Sequence, residues 1–149
     1  MNTKTVIVFT STHHGNTKKL LDAIAAHEDV ELINVIGNEK YDLSEYERIG
    51  IASGVAFGKY YPQMLEFLKN NLPDNKRVFF IHTAGDPRKN HAESAVKIAE
   101  SKNCRCLGIF CCKGFDTFGP FKLIGGINKK FPNEENMEQV VKFYRELES

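Results

Sequence analysis

Short runs of apolar residues alternate along the chain with longer segments whose apolar residues recur every three or four positions. The runs predict five β-strands, and the periodic segments predict α-helices between them. The predicted strands are 5–9, 30–36, 49–53, 78–83 and 104–112, and the predicted helices are 16–27, 61–71, 90–102 and one that opens at Pro132 and Asn133. The stretch from Leu43 to Glu47 is predicted to form one helical turn at most.

The predicted strands are apolar on both faces, which is typical of strands between two layers of helices. Alternation of strand and helix favours an α/β fold with a parallel sheet. Five strands in 149 residues fit a single doubly wound domain, covering 1–149, with strand order 2-1-3-4-5. Ligands of such sheets bind beyond the carboxyl ends of the strands, so the segments after strands 1, 3, 4 and 5 form the candidate site.

The charge balance argues against nucleic acid or an acidic membrane as a partner. Lysine and arginine together number 20 against 19 acidic residues, so the net charge is +1, without the basic excess that such surfaces attract. No apolar run reaches the length of a membrane span. We therefore expect a cytoplasmic protein, a monomer, that contacts neither nucleic acid nor membrane.

All four cysteines fall in the last predicted strand, at Cys104, Cys106, Cys111 and Cys112. This spacing differs from the paired C-x2-C pattern of zinc sites. Neighbouring residues on a strand point to opposite faces, so Cys111 and Cys112 would not converge on one ion. We therefore predict small buried side chains and no metal site, with a metal or redox-active pair as the less favoured alternative.

The turn after the first strand is rich in hydroxyl groups and leads directly into a helix. Free N–H groups at a helix N-terminus, hydroxyl donors and a glycine that lets the backbone approach are what a phosphate monoester needs. The alternative is that the polar residues only cap the helix. The turn lacks the G-x4-G-K-[ST] and G-x-G-x-x-G motifs of nucleotide sites. The candidate phosphate contacts are Ser11, Thr12, His13, His14, Gly15, Asn16 and Thr17.

The loop after the third strand combines glycines with aromatic residues. Aromatic side chains can stack on a flat ring, and glycines let backbone groups reach its edge. The alternative is that the aromatic side chains pack against the following helix. The candidate ring contacts are Ser53, Gly54, Val55, Ala56, Phe57, Gly58 and Tyr60.

The first loop resembles the phosphate loop of the flavodoxin family, which runs [ST]-x-[ST]-G-x-T after the first strand. This chain has T-H-H-G-N-T from Thr12 to Thr17, with His14 where the family often has a second hydroxyl. The resemblance spans essentially the whole chain. The segments 114–121 and 125–126 are similar to the tails of a small bacterial subgroup of flavodoxin-like proteins.

The resemblance implies the sheet predicted above and non-covalently bound FMN. It implies that the FMN phosphate lies on the Ser11–Thr17 turn and that Phe57 or Tyr60 lies against the flavin ring. It also implies a peptide flip at Gly54 or Gly58 that hydrogen-bonds the reduced flavin. Backbone groups of Thr83, Ala84 and Gly85 are expected at the pyrimidine edge.

The implied function is an FMN-binding electron carrier that shuttles electrons between redox partner proteins and contributes no catalytic residue of its own. The first alternative is an NAD(P)H-dependent FMN or quinone reductase of related fold, and the second is a non-redox binding module on the same sheet. The segment Lys113–Lys130 is a candidate cover over the flavin or docking surface, or else a loop that protects the sheet edge. Its four lysines, against one aspartate, predict a less negative flavin potential and an acidic partner.

Overall fold

The computed structural model describes residues 4–10, 16–86, 90–113 and 132–147. Within these ranges the chain alternates between strand and helix, as the sequence predicts. The elements in chain order are β1 (Thr5–Thr10), α1 (Asn16–Ala25), β2 (Glu31–Asn34), β3 (Arg48–Ser53), β4 (Val55–Ala56), β5 (Lys59–Tyr60), α2 (Pro62–Asn71), β6 (Arg77–Ala84), α3 (Glu93–Ser101), β7 (Arg105–Lys113) and α4 (Glu134–Glu146).

Five strands form one sheet in the order β2-β1-β3-β6-β7, and every neighbouring pair is parallel. This order confirms the predicted 2-1-3-4-5 topology. The remaining strands, β4 and β5, pair antiparallel as a separate hairpin that the sequence did not predict as strands. Strands of two residues are too short to show an alternating pattern, because their pairing depends on the turn between them.

Helices cover both faces of the sheet. On one face α2 and α3 pack against strand residues such as Val8, Ile51 and Phe80. On the other face α1 and α4 pack against the strand residues that alternate with these, including Phe9, Ala52 and Phe79. Because alternate strand residues enter opposite cores, the strands read as continuous apolar runs. No helix in the described part of the chain has the length and apolarity to cross a membrane.

Helix and strand ends differ from the predicted ones by a few residues. Helix α2 begins at Pro62, which suits a first helical position because proline lacks the N–H that would be unpaired there. Helix α3 begins at Glu93, three residues later than predicted. The predicted N-cap of α4 is confirmed by a capping box. The Asn136 N–H donates to the Asn133 side-chain oxygen, and the Asn133 N–H donates to the Asn136 side-chain oxygen. Between Leu43 and Glu47 the chain makes a turn closed by the Tyr46 N–H on the Leu43 carbonyl.

The prediction of buried cysteines is confirmed for two of the four. Cys104 and Cys112 are buried, Cys111 is half-buried and Cys106 is exposed. Cys106 is an exception because β7 is an edge strand, where one face is less fully covered than in the sheet centre. All four are free thiols, and burial raises the pKa of Cys111 and of Cys112 to about 12.

Candidate functional site

A row of polar residues crosses the carboxyl end of an otherwise apolar sheet. Thr10 pairs in register with Ser53, Ser53 with His82, and His82 with Cys111. The first three of these side chains are buried. Buried polar groups need hydrogen-bond partners. The side chains of this row must therefore be paired within the protein or with a ligand.

Ser53 fixes the start of the loop after β3. Its Oγ donates to the Gly54 carbonyl at 2.7 Å and accepts from the Tyr61 N–H at 3.2 Å. Its single proton is used in this way, so the 3.0 Å contact with Thr10 Oγ1 has the Thr10 hydroxyl as donor. The Ser53 hydroxyl is therefore occupied by the protein and positions the loop. Sequence reasoning missed the roles of Thr10 and Tyr61, although a hydroxyl at the end of an apolar strand was a usable signal.

Gly54 is required by the packing of Tyr61. A Cβ atom at Gly54 would lie 2.6 Å from the Tyr61 hydroxyl oxygen and 2.8 Å from Cζ, closer than real contacts allow. The Gly54 N–H donates to the Thr10 carbonyl at 3.3 Å. Both backbone polar groups of Gly54 are thus hydrogen-bonded, the N–H to Thr10 and the carbonyl to Ser53.

The β4–β5 hairpin separates the two aromatic residues that the sequence offered as ring contacts. Phe57 and Gly58 form its two-residue turn with φ of +54° and +81°, and the Phe57 side chain is 83% exposed. Tyr60 is only 1% exposed, its ring contacts Phe80 and His82, and its hydroxyl lies 2.9 Å from His82 Nδ1. Phe57 is at the hairpin tip, whereas Tyr60 is a core residue beneath it. The other predicted contacts in this loop, Val55 and Ala56, form β4 and are half-buried.

Two buried histidines lie behind the hairpin. Burial lowers the pKa of His82 to about 3, with a smaller contribution from His91, so His82 is neutral at pH 7. Burial raises the pKa of Tyr60 well above its ordinary value. His91 Nε2 lies 2.7 Å from the Asp86 carbonyl oxygen. Among the described residues, His82 Nε2 and His91 Nδ1 have no hydrogen-bond partner.

Thr17 is the part of the predicted phosphate turn whose side chain the structure describes. It lies in the first turn of α1 and is 1% exposed, and its Oγ1 has no partner among the described residues. A buried hydroxyl without a partner costs free energy, so its retention points to an acceptor or donor supplied by a ligand. A phosphate oxygen at a helix N-terminus fits this atom. Ser11, Thr12, His13, His14 and Gly15 lie outside the described residues, as does the side chain of Asn16.

The residues predicted at the pyrimidine edge lie mostly within β6. Thr83 and Ala84 are buried and pair with Cys112 and Lys113, while Gly85 follows the strand and is half-buried. Gly85 is therefore the one of the three that lies beyond the strand end. Lys113 ends β7 and is exposed beside it, whereas the remainder of the predicted docking segment, 114–130, lies outside the described residues.

Comparison with known proteins identifies the family. The family model described as Flavodoxin domain matches residues 7–113, which include most of β1, the hairpin, β6 and β7. The chain belongs to the flavodoxin domain family. An uncharacterized protein of Methanocaldococcus jannaschii is 36% identical over 147 residues, covering 97% of each chain. This family assignment confirms the resemblance drawn from the phosphate loop.

Solved structures share the fold of this flavodoxin-family chain at low sequence identity. A flavodoxin mutant of Fusobacterium nucleatum, bound to flavin mononucleotide, is 14% identical with a TM-score of 0.66, covering 96% of this chain and 94% of that one. An NADH:FMN oxidoreductase in its apo form is 15% identical with a TM-score of 0.62, covering 99% and 91%. The same architecture therefore occurs in a flavodoxin and in an FMN oxidoreductase.

Proposed function

We propose that this flavodoxin-family protein binds FMN non-covalently at the carboxyl edge of the sheet and carries electrons between redox partner proteins. The observation that carries the proposal is the buried Thr17 hydroxyl, which lies in the first turn of α1 and has no partner among the described residues. The phosphate of FMN would supply its missing partner, and the N-terminus of α1 would favour the negative charge.

The hairpin tip supports Phe57 as the residue that covers the flavin ring. A left-handed φ is costly for a bulky residue, and a side chain that is 83% exposed gains little from burial in return. The exposed ring at the hairpin tip is accessible to a flat ligand and can stack on it. Tyr60 is less suited to stacking because its ring and its hydroxyl are both committed to the core.

The two loop glycines offer unequal freedom for a peptide flip. Gly54 is crowded by Tyr61, and its N–H and carbonyl both form hydrogen bonds. Gly58 has φ of +81° in the turn, and a Cβ atom placed there would meet no described atom within 4 Å. The Phe57–Gly58 peptide is therefore our candidate for the group that responds to reduction.

Bound FMN would supply the redox chemistry, and the protein would bind, orient and shield it. Among the described residues of the row across the carboxyl edge, Thr10 and Ser53 have hydroxyl groups engaged in positioning, and His82 is neutral at pH 7. These groups suit holding a cofactor more than proton transfer to a substrate. The carrier role is therefore preferred over the NAD(P)H-dependent reductase, which shares the fold.

Absorption spectroscopy and a turnover assay test the proposal together. The purified protein mixed with FMN should keep flavin bands after gel filtration, and riboflavin should be largely lost. The loaded protein should not oxidise NADH or NADPH faster than free FMN, yet should accept electrons from an added reductase protein supplied with NADPH. Sustained oxidation of either nicotinamide by the protein alone would favour the reductase, and failure to retain FMN would contradict both functions.

A further inference from the structure

Three buried side chains lie between the β4–β5 hairpin and the loop after β6. Tyr60 belongs to the hairpin, His82 to β6, and His91 to the turn before α3. The Tyr60 hydroxyl is 2.9 Å from His82 Nδ1, and the rings of His82 and His91 are nearly perpendicular with centroids 5.7 Å apart. At the far end His91 Nε2 contacts the Asp86 carbonyl. The three side chains thus connect two loops of the candidate site.

The partner of His91 decides its tautomer. A backbone carbonyl oxygen can only accept a hydrogen bond, so the 2.7 Å contact requires a proton on His91 Nε2. In the neutral ring Nδ1 then carries a lone pair and no proton. Nδ1 is buried and has no partner among the described residues, so it is an unpaired acceptor.

The partner of His82 decides its tautomer in the same way. The neutral ring carries one proton, and burial keeps the Tyr60 hydroxyl protonated. If His82 Nδ1 donated, the hydroxyl proton of Tyr60 would need another acceptor, and within the described part of the chain that hydroxyl has no other hydrogen bond. Tyr60 therefore donates to Nδ1, and His82 carries its proton on Nε2, a buried donor that is likewise unpaired among the described residues.

The two unpaired atoms are complementary. We propose that His82 Nε2–H donates to His91 Nδ1 through one bridging water, so that Tyr60, His82 and His91 form one hydrogen-bonded chain that holds the hairpin to the loop after β6. A single bridge satisfies both orphan atoms, and buried waters typically occupy such positions. All bonds of the chain run in one direction, from Tyr60 to the Asp86 carbonyl.

This hydrogen-bonded chain makes Tyr60, His82 and His91 positioning residues. The hairpin itself has only two residue pairs, Val55 with Tyr60 and Ala56 with Lys59, and a hairpin of this size is marginal alone. The hydrogen-bonded chain ties the hairpin to β6 and to Asp86. Its effect on cofactor affinity rests on the proposed function, because these two loops would then flank the flavin.

Nuclear magnetic resonance of the apoprotein tests the chain without FMN. In the parent, long-range 1H–15N spectra should show the Nε2–H tautomer for both His82 and His91, with the His82 imidazole proton protected from exchange. In His91→Gln, which keeps an N–H toward Asp86 but lacks Nδ1, that proton should exchange at least about fivefold faster, as expected for loss of one hydrogen bond. An Nδ1–H tautomer at either ring, or unchanged exchange in His91→Gln, would overturn the chain.

Amide exchange and FMN binding test the positioning. The Ala56 and Lys59 amides, which form the hydrogen-bonded pair next to the hairpin turn, should exchange several-fold faster in His91→Gln and in Tyr60→Phe, which keeps the packed ring. The matched control is His27→Gln, the same substitution at an exposed position at the end of α1, where nothing should change. FMN should bind about fivefold more weakly to the two variants and normally to the control. Unchanged hairpin exchange would overturn the positioning role, whereas a parent that fails to bind FMN would contradict the proposed function alone.

Discussion

At the scale of single residues, the phosphate placement depends on one buried oxygen, Thr17 Oγ1. The isosteric change Thr17→Val removes the hydroxyl and keeps the shape. We expect FMN binding to weaken by about 1.5 to 3 kcal/mol, the value of a hydrogen bond to a charged group. The apoprotein should be no less stable, because the hydroxyl has no partner among the described residues.

Riboflavin provides the control for this variant because it lacks the phosphate. Isothermal titration should show the same weak riboflavin affinity for parent and Thr17→Val. A variant that binds FMN as tightly as the parent would show that the phosphate lies elsewhere.

Phe57 combines a strained backbone with an exposed ring, so stability and binding should respond to it in opposite directions. Asn-Gly is the preferred pair for a two-residue turn with both φ angles positive. We expect Phe57→Asn to raise the free energy of unfolding of the apoprotein by roughly 1 kcal/mol. The same variant should quench FMN fluorescence less on binding and hold FMN more weakly, because stacking is lost.

Phe57→Tyr is the matched variant that keeps the aromatic face. It should retain the quenching and the affinity of the parent. If Phe57→Asn binds and quenches like the parent, the flavin is covered by another residue.

His82 should make stability depend on pH. The folded pKa is about 3 against an ordinary 6.5, so between these values the unfolded chain binds the proton and the folded chain does not. The contribution of His82 to the free energy of unfolding is fully present above about pH 6.5. It is lost as the pH falls toward 3, at up to about 1.4 kcal/mol per pH unit. Tyr60 and His91 contact this ring, Cys111 pairs in register with His82 on the neighbouring strand, and the Asp86 carbonyl contacts His91 behind it.

Urea unfolding of the parent and of His82→Phe at several pH values measures this effect. The variant should show a smaller loss of stability between pH 6.5 and 4. Parallel curves for the two proteins would show that His82 is not protonated preferentially on unfolding.

At the scale of elements, α4 is fixed by its own N-terminal signals. The capping box of Asn133 and Asn136 pairs two backbone donors, and Glu134 and Glu135 lie in the first turn, where negative charge is favourable. Asn133→Ala should lower the free energy of unfolding by about 1 kcal/mol. FMN affinity should not change, because α4 contacts α1 through the core and lies outside the candidate site.

Asn133→Asp is the control, since aspartate is an equally good cap. It should unfold at the same denaturant concentration as the parent. An equal loss in both variants would mean that residue 133 acts through packing and not through the cap.

At the scale of the whole molecule, the nearly neutral charge sets the expected potential and partner. The net charge is +1, and Lys113, Lys122, Lys129 and Lys130 are four positive charges near the end of β7 in sequence. Of these, Lys113 lies at the exposed strand end beside Ala84. Positive charge near the flavin stabilises its anionic, fully reduced form. Replacing all four lysines by glutamine should therefore make the semiquinone/hydroquinone potential more negative, by about 1 to 2 kcal/mol in total.

A redox titration of the loaded protein measures this change. An unchanged or less negative potential in the variant would exclude tuning by these lysines. The rate of electron transfer from an acidic partner should fall as salt is added, because screening weakens attraction between opposite charges.

The sequence by itself determined the sheet, its strand order and its helical layers. These follow from the apolar pattern of segments such as 5–10 and 77–84, because burial on both faces and the handedness of strand–helix–strand units leave few other arrangements. It also indicated the family, through the Thr12–Thr17 motif together with the loops after the third, fourth and fifth predicted strands, and it indicated the cap at Asn133. These features are local or periodic, so they can be read without knowing which segments meet.

The tertiary structure decided which candidate residues are accessible to a ligand. Phe57 and Tyr60 look alike in the sequence, yet one lies at the tip of a turn and the other beneath it. The crowding of Gly54 by Tyr61 and the contact of His82 with His91 also join residues that are not neighbours in sequence and that meet only through the path of the loops between them. Such facts depend on turn geometry and on packing in three dimensions, and no one-dimensional pattern carries them.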